Sequence, residues 1–271
     1  AAAGTALHFQ DLMKYIPKDQ PFYVLESIGN DGSEPPHTDM KEMAAFYIKE
    51  IQSLQPEGPY LLGGRCFGGS VAYEMAQQLT ESGSEVALLV VFGTWPPMLA
   101  PIPVYEPPKK DTSHFVNRTF YHLKNGEFFY VAGKYISNEI MKAKYFLKTK
   151  FDQIFSNPEK KLFRELWVTH TRTYVNYVAD KYPGKISMID AEDLDIEHRD
   201  GWKYLAKGGI EAYMIKGATH YTIMSEPYIQ QLAERLNYFL EKTHKEIELK
   251  TLKNGMAVKS FQNKLPEEIK A

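Results

Sequence analysis

Cysteine is almost absent from this chain. Cys66 is the only one in 271 residues. That excludes a disulfide framework and a cysteine-built zinc site, and it fits a reducing, cytoplasmic compartment. Long apolar runs are also missing. None approaches the ~18–20 residues needed to span a bilayer, so no membrane partner is expected. Neither sign of charge dominates: 32 Lys and Arg stand against 34 Asp and Glu, a formal net charge of −2. Nothing therefore draws the chain toward nucleic acid or anionic lipid. No internal repeat is apparent, and the opening Ala1-Ala2-Ala3-Gly4 does not read as a signal peptide. A chain of this length suits one large domain, or one domain with an insertion, and can bury a sizeable core.

What is present is an alternation of apolar runs and amphipathic stretches. Phe22–Glu26 reads as a strand. Over Met40–Leu54 the apolar residues Met43, Ala44, Tyr47, Ile48 and Ile51 recur at helical spacing. Tyr60–Gly63 reads as a strand, Ser70–Ser82 as a helix, and Val86–Phe92 as a continuous apolar run. Such runs belong to parallel strands buried on both faces. Lys185–Asp190 and Glu211–Ile215 read as further strands, and Tyr228–Lys242 as a helix. This order predicts a mostly parallel sheet wrapped by helices. Two regions break the rhythm. Residues 98–180 are proline-rich at first, then aromatic and lysine-rich, and read as a helical insertion. Most of its aromatics are expected to pack it onto the core, the rest to line an apolar channel. Residues 243–271 are strongly charged and read as a helix with a flexible end.

The most specific stretch is Tyr60-Leu-Leu-Gly-Gly-Arg-Cys-Phe-Gly-Gly-Ser70. It reads as a strand, a tight turn with Cys66 at its apex, and a helix. The pattern G-x-C-x-G is the cysteine form of the nucleophile elbow of α/β-hydrolases, G-x-S-x-G. The turn needs small residues two before and two after the nucleophile, and Gly64 and Gly68 supply them. A thiol is ordinarily half ionised near pH ~8.5, and lower at a helix N-terminus or beside an imidazole. His220 is the candidate base, because it follows the last expected strand and comes after the nucleophile in chain order. The other seven histidines read as surface or structural, with the settings of His170 and His198 left open.

The longer segment Gln55–Leu79, with its Pro-Glu-Gly-Pro entry into the elbow, closely resembles the thioesterase domains that end nonribosomal peptide, polyketide and fatty acid synthases. Gly217–Met224 is similar to the family's G-x-H-x-x-M/L segment. The resemblance covers Leu7–Pro97 and Tyr174–Leu240 and hardly touches the insertion. It implies an α/β-hydrolase fold over residues 1–271, with residues 98–180 as a lid and residues 243–271 as a tail. It implies a polypeptide that continues upstream through one more strand to a carrier domain. The partner would be an acyl or peptidyl carrier protein, presenting a small-molecule acyl chain on its phosphopantetheine arm. No metal and no bound cofactor are expected. The oxyanion hole would be formed by the backbone N–H groups of Phe67 and Ala2.

One family position departs from the pattern. The usual aspartate after the strand that follows the elbow helix is Gly93 here. The next strand end offers Asp193 as the replacement acid, with Asp190 and Asp195 as alternatives; all three also fit solvated loop acids. The cysteine and the missing aspartate are expected to be linked, since a thiol depends less than an alcohol on a precisely oriented base. Acyl-S-Cys66 would keep the chain activated and favour cyclisation or transfer over hydrolysis. A stand-alone editing thioesterase, a catalytically impaired hydrolase-like domain and an engineered Ser→Cys substitution are the alternatives.

Overall fold

The computed structural model describes residues 6–97, 158–194 and 196–264. Its centre is a four-stranded parallel sheet: β1 (Tyr60–Arg65), β2 (Val86–Phe92), β3 (Ile186–Ala191) and β4 (Ile210–Ile215), in spatial order β1-β2-β3-β4. Helices α2 (Met40–Leu54), α3 (Phe67–Glu81), α4 (Pro158–Asn176), α5 (Ile196–Leu205) and α6 (Tyr228–Lys264) surround it, with a short 3-10 turn and helix α1 (Gln10–Met13) near the start.

The strand pattern explains the layering. Side chains alternate across a strand, and β2 is apolar at every position because both of its faces are covered. Leu89 and Val91 join Tyr73, Met75 and Ala76 of α3, Met43 and Tyr47 of α2, and Trp202 and Leu205 of α5 in one core. Leu88, Val90 and Phe92 face the other way, against Ile229, Leu232 and Phe239 of α6 and Leu12 of α1. Helix α2 begins where expected because Asp39 caps it, its Oδ1 accepting from the N–H groups of Lys41 (2.8 Å) and Glu42 (3.0 Å). Helix α3 carries a buried carboxylate. Glu74 is satisfied by the Tyr177 hydroxyl and by the side-chain amides of Gln77 and Gln78.

Most expected elements recur within a few residues. Phe22–Glu26 does not: it forms no strand and has no ladder partner among the described residues. Its alternation is real, with Phe22 and Val24 turned inward and Tyr23 and Leu25 exposed. Alternation requires only one covered face, so it also describes a segment laid on a core. The last helix runs on to Lys264, and the Leu7–Tyr15 helix is a 3-10 turn plus four α-helical residues. Of the expected lid, Pro158–Asn176 is a helix and residues 98–157 lie outside the described residues.

Candidate active site

Parallel strands deliver all their C-terminal ends to one edge, where α/β proteins place their sites. Cys66 follows β1, Gly93 follows β2, Asp193 follows β3 and His220 follows β4. In this strand order the ends of β1 and β4 lie three spacings apart, about 14 Å. Cys66 and His220 can meet only if the loop after β4 folds back across the ends of β3 and β2.

The loop is held at each strand end it crosses. At β3, the Glu192 N–H donates to the Ala218 carbonyl (3.0 Å), and the Gly217 N–H donates to Glu192 Oε2 (2.7 Å). Both oxygens of Asp193 accept from the His220 N–H, at 2.9 and 3.1 Å. Over the end of β2, the imidazole lies above Gly93: a Cβ there would stand 3.3 Å from His220 Nδ1. At β1, Arg65 Nη2 donates to the His220 carbonyl oxygen (2.7 Å). Within the loop, Thr219 and Thr222 bond each other through their hydroxyls (3.0 Å), and the Thr222 and Ile223 N–H groups return to the Thr219 carbonyl. Ala218 and Ile223 anchor the turn in the core.

The elbow has the conformation its glycines predict. Cys66 sits at φ 54° and ψ −127°, the only non-glycine with positive φ among the described residues. Such backbone costs of order 1–3 kcal/mol and persists where its surroundings over-determine it. Here the Cys66 N–H donates to the Phe92 carbonyl (3.3 Å), and the Gly69 N–H donates to the Cys66 carbonyl (3.0 Å). A Cβ on Gly64 would stand 2.2 Å from the Gly68 carbonyl oxygen, and one on Gly69 would stand 2.1 Å from Thr94 Oγ1. The loop after β2 is pinned in turn: Trp202 Nε1 donates to the Thr94 carbonyl and the Tyr174 hydroxyl to the Pro96 carbonyl, both at 2.9 Å.

Cys66 and His220 meet at the apex. Burial raises the thiol, but the His220 ring's hydrogen bond and charge, with help from the Phe67 N–H, bring it down to about 7. The ring's other nitrogen, Nδ1, is buried and makes no hydrogen bond. Asp193 therefore does not reach the ring. Its carboxylate is spent on the histidine's main-chain N–H. Asp190 is also not on the ring; it is buried in β3, and burial, opposed by Arg199, pushes it up to about 7. Asp195 and Ala2 lie outside the described residues, as does the His198 side chain.

Two neighbours had no motif to announce them. Arg65 is the unspecified residue of G-x-C-x-G; its only signal is a charge in a strand otherwise built of Tyr, Leu and Gly. His170 of α4 is wholly buried and stacks on the Phe67 ring, with centroids 4.5 Å apart and planes 11° apart. Tyr221, 85% exposed, stands edge-on to the His220 ring at 5.5 Å. Among the described residues there is no cluster fit to hold a metal ion, and no helix is long and apolar enough to cross a membrane.

Residues 1–240 match the family model of the thioesterase domain. An atromentin synthetase of Paxillus involutus is 26% identical over 249 residues, 83% of this chain and 25% of that protein. A dimodular nonribosomal peptide synthase of Bacillus subtilis is 41% identical over 101 residues, 37% of this chain and 4% of that protein. The chain thus spans a quarter or less of the length of these relatives. The thioesterase domain of NocB, crystallised as a covalent complex with a fluorophosphonate nocardicin G analogue, aligns at a TM-score of 0.61 and 23% identity over 88% of this chain and 91% of its own. The RedJ thioesterase of the prodiginine pathway in Streptomyces coelicolor aligns at 0.61 and 16% identity, over 88% and 86%. At these identities the likeness speaks for the fold, which is that of the α/β-hydrolases.

Proposed function

The chain belongs to the thioesterase-domain family, and from that premise we propose that it releases an acyl or peptidyl chain from a carrier protein's phosphopantetheine through Cys66. The supporting observation is the meeting of the Cys66 thiol with both the His220 ring and the Phe67 N–H at a strained elbow apex. The Cys66 thiolate attacks the thioester carbonyl carbon. One C–S bond forms and the pantetheine C–S bond breaks. The departing thiolate takes the proton held on His220. The N–H of Phe67, at the first turn of α3, stabilises the tetrahedral oxyanion, with Ala2 as the second donor. One such donor is typically worth about 10²–10³ in rate.

Cysteine alters the fate of the bound acyl group. Exchange of one thioester for another is nearly balanced in energy, whereas transfer to serine makes a more stable ester. Acyl-S-Cys66 therefore stays activated for a weak or hindered acceptor, such as an amine or an internal hydroxyl. That favours cyclisation or transfer over hydrolysis. The relatives' multidomain architecture supports a carrier-protein partner.

The test is intact-protein mass after incubation with octanoyl-S-N-acetylcysteamine, a thioester carrying the end of the pantetheine arm. The expected result is one octanoyl adduct on Cys66, absent in Cys66→Ala. A chain that never acylates would favour the reading as a catalytically impaired domain, which the unpartnered Nδ1 of His220 makes a specific rival.

A further inference from the structure

We propose that His220 is positioned by its peptide group rather than by its ring, with Asp193 and Arg65 as the two arms of the clamp. This rests on the reading of Cys66 and His220 as the reacting pair.

A serine-type triad orients its imidazole by an acid on Nδ1. Here that nitrogen is buried without a hydrogen bond, and Gly93 lies beneath it. The ring itself lies over Gly93, which has no side chain to offer it: a Cβ there would stand 3.3 Å from Nδ1. The restraint has moved to the main chain. Asp193 accepts from the His220 N–H with both oxygens, and Arg65 donates to the carbonyl of the same residue. With both ends of His220 fixed, only its side-chain torsions remain free. The close approach to Gly93 and the edge-on Tyr221 ring narrow those.

Arg65 is suited to the task by its position. It is the last residue of β1, next to Cys66, so the residue that anchors the histidine loop is bonded to the nucleophile. The distance from nucleophile to base is thus set by one short covalent path and one hydrogen bond. The arginine lies partly buried, and its Nε makes no hydrogen bond. A buried guanidinium is costly unless it is used.

The test is a double-mutant cycle on single-turnover acylation by octanoyl-S-N-acetylcysteamine at neutral pH. Arg65→Met should slow acylation about 10- to 100-fold, the usual range for a lost charged hydrogen bond. In the His220→Ala background the same change should do almost nothing, because its effect runs through His220. Equal effects in both backgrounds, or none in either, would overturn the clamp. The second arm is read independently, should Arg65→Met not fold. Asp193→Asn keeps an oxygen for the His220 N–H and should retain more activity than Asp193→Ala. An Asn variant as poor as the Ala variant would mean that the acid acts on the ring, and would also overturn the clamp. A Cys66→Ala chain that still acquires the octanoyl group would instead sink the underlying reading of the reacting pair.

Discussion

Cys66 has two neighbours that favour its anion and one environment that opposes it. Burial opposes; the His220 ring and the Phe67 N–H favour, and together they prevail. The thiolate fraction should rise with pH through about 7, so iodoacetamide alkylation should follow that midpoint. Removing the imidazole leaves the burial and takes away the larger of the opposing contributions. His220→Ala should therefore move the midpoint upward by about a unit or more, toward or past the ordinary thiol value of about 8.5. A midpoint that stays put would mean that the histidine does not govern the thiol. At this scale Cys66 and His220 were legible in the sequence, because glycines and chain order mark them. The contact of Asp193 was not. A carboxylate in the loop beyond a strand end can meet either a ring or a peptide, and only the path of the histidine loop decides which. Arg65 was hidden for a different reason: its partner is a main-chain carbonyl, which leaves no trace in side-chain identity.

The elements that matter are the ends of β1 and β2. One carries a cysteine where serine is usual, the other a glycine where aspartate is usual, and the structure puts both against the same imidazole. An alcohol needs the oriented base that a thiol can do without. Cys66→Ser should lower acyl transfer by about 10³-fold or more, the scale set by removing a triad acid. Gly93→Asp should then recover at least about tenfold in the serine background. Gly93 has φ +53°, a left-handed conformation that aspartate tolerates better than most residues, and the ring need give only a few tenths of an ångström. Transfer rates of the single and double variants check this; no recovery would separate the two departures. The elements themselves read well from pattern where they are buried on two faces, as in Val86–Phe92. Phe22–Glu26 did not, since a covered face does not require a hydrogen-bonded neighbour.

For the molecule as a whole, Asp190 sets a pH dependence of folding. Burial pushes its carboxyl up to about 7 in the folded chain, against about 3.9 when unfolded. Between these values the unfolded chain releases the proton that the folded chain keeps. Stability from this group is full below about pH 4 and is lost as pH rises toward 7. Asp190→Asn lacks that loss. Its melting temperature should gain on the parent across this window, by an amount corresponding to about 1–3 kcal/mol at the upper end. A constant difference would show that Asp190 does not titrate there.

The solitary thiol also bears on redox chemistry. A thiol half ionised at neutral pH is oxidised readily, and the sulfenic acid so formed is ordinarily rescued by a second thiol nearby. These 271 residues contain no other cysteine. Oxidised Cys66 must wait for an external reductant, and without one it proceeds to sulfinic acid, from which such an active site does not return. On the proposed mechanism, the thiol that would keep the acyl group reactive also exposes the site to irreversible oxidation whenever it stands empty.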